Sequence, residues 1–195
     1  NLGTTSTSPY PLRIRNLVVD KSAGKFTTNP IEGTAGLYRI GIGDKLEIIN
    51  GEFELGLRDD IEGRTTWGSA TTPEIIVQEN GVFRMLGEYS HIRRGNFIGD
   101  DSSKIGKMTI FGEAYLANYS SNRINIGDID IEDGGLLRIP WYSEGGSMGT
   151  NDFNPGTITV KSGGTFRLSL NTDIWYDNPT TPNQIALLEG GTVMS

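Results

Sequence analysis

The sequence predicts an all-β chain folded as a single-stranded, right-handed parallel β-helix of about seven coils. Three observations predict it. A motif of a short β-rich run, a glycine turn and a second β-rich run returns seven times, its anchors at Gly24, Gly51, Gly81, Gly112, Gly135, Gly164 and Gly191. Those anchors are separated by 27, 30, 31, 23, 29 and 27 residues, a period of the kind that marks solenoids, propellers and arrays. Finally, no window holds an i, i+3, i+4, i+7 apolar pattern for three turns, whereas β-branched and aromatic residues alternate with polar ones over runs of four to eight positions.

The elements follow in order. Residues 1–11, with Thr4-Thr5-Ser6-Thr7-Ser8-Pro9 at their centre, are small and polar and read as a linker or N-terminal cap. From Leu12 to Ser195 the repeat is continuous and reads as one domain. The clearest copies, Ile75–Phe83, Ile129–Leu137 and Ile158–Phe166, align without a gap. A second turn precedes the glycine turn: Ile42-Gly43-Asp44, Ile98-Gly99-Asp100 and Ile126-Gly127-Asp128 each break register between two strands. One repeat therefore holds a strand, a Gly-Asp corner, a strand, a Gly corner and a third strand. Coils of that kind stack ~4.8 Å apart, so equivalent inward residues form columns along the axis. Phe26, Phe53, Phe83, Leu137, Phe166 and Val193 each lie two residues after an anchor and are expected to make one ladder. Residues 56–73 and 140–156 are expected to be loops leaving one side. The alternative is an antiparallel β-sandwich, in which Asn50-Gly51 and Asn80-Gly81 would close hairpins. The three superposable copies and the repeated Ile-Gly-Asp corner favour the helix.

Composition narrows function. The formal net charge is −7 and only Arg93-Arg94 pair among the basic residues, which argues against nucleic acid as a partner. There are no cysteines, which removes disulfides, thiolate metal sites and a Cys nucleophile together. No apolar run approaches the ~18 residues of a membrane span. The last residues, Gly191–Ser195, fall in mid-coil, so further coils, a cap or an end-to-end copy of the chain is expected to cover that end.

Candidate sites are few. His91 stands alone, which rules out multi-histidine metal centres, and it reads as a surface or loop residue. Asp128, Asp130 and Glu132 alternate with Ile129 and Ile131 and should project from one face, ~6.5 Å apart. That spacing suits paired acid and base roles or a calcium ion, although a solvated face is the plainer reading. Asp59-Asp60 and Asp100-Asp101 look like turn residues. Trp141-Tyr142 and Trp175-Tyr176 fall outside the ladder and are candidate ligand contacts, because exposed aromatics stack on sugars or mark protein contacts. Asn118-Tyr119-Ser120 fits the N-glycosylation pattern.

The stretches Asn16-Leu17-Val18-Val19-Asp20-Lys21-Ser22-Ala23-Gly24 and Gly43–Leu55 resemble the β-helical repeats of large secreted and cell-surface proteins of Bacteroidota. Thr157–Phe166 is similar to autotransporter-type and filamentous-haemagglutinin-like coils. The resemblance implies an extracellular protein: an adhesin, a filament subunit or a stalk. The expected role is thus a non-enzymatic structural or adhesive segment without a cofactor, its partners neighbouring coils, end-to-end copies or surface glycans. A polysaccharide lyase or hydrolase and a phage tail-spike or fibre fragment are the alternatives.

Overall fold

The computed structural model describes residues 12–27, 39–55, 60–63, 73–85, 91–94, 105–116, 123–124, 126–139, 152–153, 155–168 and 184–194. Among them there is no helix, and every strand pairing is parallel. The strands are β1 (Leu12–Thr27), β2 (Arg39–Leu55), β3 (Asp60–Gly63), β4 (Glu74–Met85), β5 (His91–Arg94), β6 (Ile105–Ile110), β7 (Glu113–Leu116) and β8 (Arg123–Ile124). They continue with β9 (Ile126–Ile131), β10 (Leu136–Ile139), β11 (Asp152–Phe153), β12 (Thr157–Val160), β13 (Thr165–Leu168), β14 (Gln184–Leu187) and β15 (Thr192–Met194). The result is a β-solenoid of stacked coils.

Three columns of strands run along it. In the first, Leu12, Ile40, Ile61, Ile92, Ile124 and Phe153 are successive partners. The second joins Leu17, Leu46, Ile75, Met108, Ile129, Ile158 and Ile185. In the third, Phe26, Phe53, Phe83, Ala114, Leu137, Phe166 and Val193 follow one another, so the ladder expected two residues after each anchor forms, with Ala114 as its smallest rung. Phe26 stacks on Phe53 with ring centroids 5.4 Å apart, and Phe53 on Phe83 at 5.7 Å.

Period-two alternation makes this geometry inevitable once the strands are parallel. In β4 the inward set Ile75, Val77, Phe83 and Met85 is buried while Ile76, Val82 and Arg84 are half-buried. Stacking in register brings like residues together, and the core is a continuous apolar filling from Val19 to Phe166.

Several expectations are corrected. The Asn-Gly pairs do not close hairpins: Asn50 partners Asn80 and Gly51 partners Gly81 across parallel strands, which removes the antiparallel sandwich. Asp60 lies in β3, between Arg39 and the backbone of His91, so it is not a turn residue, and the backbone of His91 runs in β5. Likewise β3 and β11 fall inside the stretches 56–73 and 140–156 that were expected to be loops. The corner expected at Ile98-Gly99-Asp100 lies outside the described residues. The register places Ile105 on Ile126 and Lys107 on Asp128, so Gly106 holds the position of Gly127 in that coil.

The glycine corners differ in length because the ladder tolerates it. Between the second and third columns the chain spends four residues at Glu132–Gly135 and at Lys161–Gly164, but only Phe111-Gly112 between β6 and β7. There the N–H groups of Phe111 and Gly112 both donate to the Val77 carbonyl of the preceding coil, which ties the tight turn to its neighbour.

Candidate functional site

Asp128 and Asp130 stand on β9 and Glu132 immediately beyond it, as the alternation requires. Asp128 is exposed, and its Oδ1 accepts the Thr157 N–H at 3.0 Å, tying the start of β12 to β9. Asp130 and Glu132 are half-buried and each has a cationic neighbour from another coil. Lys107 Nζ lies 2.7 Å from Asp130 Oδ2, and Lys161 Nζ lies 2.6 Å from Glu132 Oε1 and 3.6 Å from Asp130 Oδ2. The Lys161 ammonium is held above its ordinary value by its hydrogen bond to Glu132; slight desolvation opposes this, and the charges of Glu132 and Asp130 add to it. The three acids share a face as expected, but their oxygens are committed to neighbouring rungs. No group of three or more His, Cys, Asp or Glu able to hold a metal occurs among the described residues.

The same column repeats the pattern on β2 and β4. Lys45 Nζ contacts Glu47 Oε2 at 2.6 Å, and Gln78 Nε2 donates to Glu47 Oε1 at 2.7 Å. Glu47 is consequently lowered from its ordinary value, first by Lys45 and then by Gln78, with burial opposing.

The outer face of the third column carries the most concentrated chemistry. Its successive outward residues are Thr27, Glu54, Arg84, Tyr115, Arg138, Arg167 and Met194. Lys25 reaches Glu54 at 2.8 Å and Arg84 reaches Glu52 at 3.0 Å. Tyr115 donates its hydroxyl to Glu113 at 2.5 Å, and its ring lies between two guanidinium groups, Arg84 at 4.2 Å and Arg138 at 5.4 Å from the centroid. Burial above all, then the Glu113 hydrogen bond, raises the Tyr115 phenol. For Arg84, burial is the largest influence and works against the charge, but Glu52, Tyr115 and Glu113 more than offset it, and the net direction is upward.

Trp141, Tyr142, Trp175 and Tyr176, together with Asp59, Asp100, Asp101 and Asn118-Tyr119-Ser120, lie outside the described residues. His91 is placed by its backbone alone. Gly51, Gly81, Gly112, Gly135, Gly164 and Gly191 stand where an added Cβ would run into a backbone carbonyl of the preceding coil; Gly24 is open but has a φ of +82°, and Gly24, Gly51 and Gly81 lie within β1, β2 and β4.

Sequence reasoning missed Lys107, Lys161, Tyr115 and the arginine row. Two of these signals were present in the gap-free alignment, which sets Glu132 over Lys161 and Arg84, Arg138 and Arg167 over one another. Alignment columns in a solenoid are spatial columns, so charges aligned from consecutive coils are neighbours, as Glu132 and Lys161 or Arg138 and Arg167 are, whereas Arg84 and Arg138 have Tyr115 between them. No helix among the described residues is long and apolar enough to cross a membrane. No protein-family model matches the chain, and no curated protein and no solved structure is similar enough to match it.

Proposed function

We propose that the chain is a non-enzymatic structural or adhesive segment of a secreted or cell-surface bacterial protein. In this reading a continuous right-handed β-helix of about seven coils is a stiff spacer, and its outer faces and loops carry any binding. The chains of partner residues through the second and third columns support the coil number, and the strong preference of parallel crossovers supports the hand. The observation that carries the functional reading is the use made of the carboxylates. Asp130, Glu132, Glu47, Glu52 and Glu54 are spent on cations or amides that clamp the solenoid, most of them on an adjacent coil. A paired-acid hydrolase needs two carboxyl groups free to meet one glycosidic bond. Here the chain works without a metal ion or cofactor, and its partners are neighbouring coils, end-to-end copies and surface glycans.

The test is turnover. The chain is incubated with acidic and neutral polysaccharides, and Asp130→Asn is assayed beside it. The expected result is no product from either, with Asp130→Asn less stable by about 1 kcal/mol or less, the worth of an exposed ion pair. Product formation that disappears in Asp130→Asn overturns the reading in favour of a carbohydrate-active enzyme, and a trimer by light scattering overturns it in favour of a fibre fragment.

A further inference from the structure

The third column separates into two parts. Over its first rungs every cation has an acid: Lys25 has Glu54, Arg84 has Glu52, and Glu113 accepts from Tyr115. Beyond Tyr115 the acids stop. The outward residues preceding Arg138 and Arg167 on their own strands are Leu136 and Thr165, and no carboxylate pairs with either arginine among the described residues. Arg138 partners Arg167 in register, which puts two guanidinium groups on adjacent rungs ~4.8 Å apart. Arg138 is half-buried against Tyr115, and its Nε–H is covered with no acceptor. In a chain of net charge −7, two adjacent cations that no carboxylate pairs with among the described residues favour an anionic partner.

We propose that Arg138 and Arg167 form an anion site for a linear, carboxylate-bearing polysaccharide, with Tyr115 as a positioning residue that fixes the Arg138 guanidinium plane. The inference rests on the adhesive reading above and names its ligand class. A planar guanidinium matches a carboxylate with two parallel hydrogen bonds, which a lysine does not provide. On the rungs of β10 and β13 a ligand lying along the axis meets one guanidinium each, Arg138 and then Arg167. A polyuronate carries a carboxylate on every sugar unit and so offers anionic groups continuously along the axis, whereas an extended peptide presents them on the facing side only where Asp or Glu falls at alternate positions. Neutral sugars gain little here, because both faces of the Tyr115 ring are already covered by Arg84 and Arg138.

The experiment is affinity electrophoresis of the full chain in gels containing polygalacturonate, dextran sulfate, poly-glutamate or neutral dextran, across a salt series. Polygalacturonate is expected to retard the protein at low salt and release it as salt rises. The R138Q/R167Q variant is expected to lose about tenfold or more in affinity, while the charge-matched K21Q/K45Q variant keeps it. Unchanged circular dichroism of R138Q/R167Q shows that the loss is not unfolding. Retention by dextran sulfate alone, stronger retention by poly-glutamate, no retention by any polymer, or undiminished binding by R138Q/R167Q each overturns the proposal. Cleavage of the retained polygalacturonate would overturn the non-enzymatic reading while leaving the site standing.

Discussion

Gly134 and Gly135 are adjacent but constrained for different reasons. Gly134 has a φ of +77° with open space where a Cβ would be, whereas Gly135 is buried and its Cβ would meet the Ile110 carbonyl of the preceding coil. Gly135→Ala must therefore push two coils apart, at about 1–3 kcal/mol for overpacking. Gly134→Ala incurs only the left-handed backbone, about 1 kcal/mol, and Gly134→Asn less than that, because Asn tolerates the region. Urea unfolding of the three variants should rank them in that order, and a Gly134→Ala loss exceeding that of Gly135→Ala would refute the close-approach argument. Charge at single residues sets the pH response. Because the folded state holds Glu47 below its ordinary value of 4.5, its contribution is present above that value and is lost as pH falls through the lower folded value. Lys161, raised in the fold, contributes below 10.5 and loses its contribution as pH rises through the folded value. Glu47→Gln should flatten the acid limb of a melting-temperature profile, and Lys161→Gln the alkaline limb. A loss that is the same at every pH would mean that these residues act by packing and not by charge.

Along each strand the ladder is the stabilising unit. Phe53 is fully buried between Phe26 and Phe83, while Phe26 is half-buried at one end of the stack. Phe53→Ala removes contacts to two coils and is expected to cost about 3–5 kcal/mol, and Phe26→Ala clearly less. Equal losses by calorimetry would show that the aromatic ladder is not what couples these coils. This ladder was legible in the sequence because burial on one face imposes an alternation that survives variable corner lengths. The short strands β3 and β11 were not, since Ile61 and Phe153 are lone large apolar residues among polar neighbours and carry no period of their own. The Gly106 corner was missed for a similar reason: its neighbour is Lys107, so the Ile-Gly-Asp pattern pointed to residues 98–100 instead. Of the candidate site, the outward direction of Asp128, Asp130 and Glu132 could be read from alternation alone. Lys161 could be read only from the alignment that sets it over Glu132, and Lys107 not at all, because it reaches Asp130 from a coil outside the gap-free copies.

At the scale of the molecule, a solenoid is nearly one-dimensional: each coil is stabilised by its two neighbours, and a terminal coil has only one. Among the described residues, β14 and β15 are paired on one side only. Leu187 partners Val160 and Val193 partners Phe166, both fully buried, yet Leu187 is 54% and Val193 41% exposed. Leu188 and Met194 beside them are 48% and 49% exposed. Inward-facing side chains of that rung thus present an apolar cross-section next to parallel strand edges, and among the described residues neither a charged side chain on the ladder positions nor a bulge blunts them. Strand edges of this kind template pairing with another chain. The 195-residue chain is therefore expected to associate through this end as its concentration rises, and apolar burial predicts that added sulfate strengthens the association. Leu187→Lys with Val193→Lys places two ammonium groups on the ladder and should leave a monomer in analytical ultracentrifugation at concentrations where the parent associates. The parent remaining monomeric throughout, or the double variant associating equally, would show that this cross-section is not a contact surface.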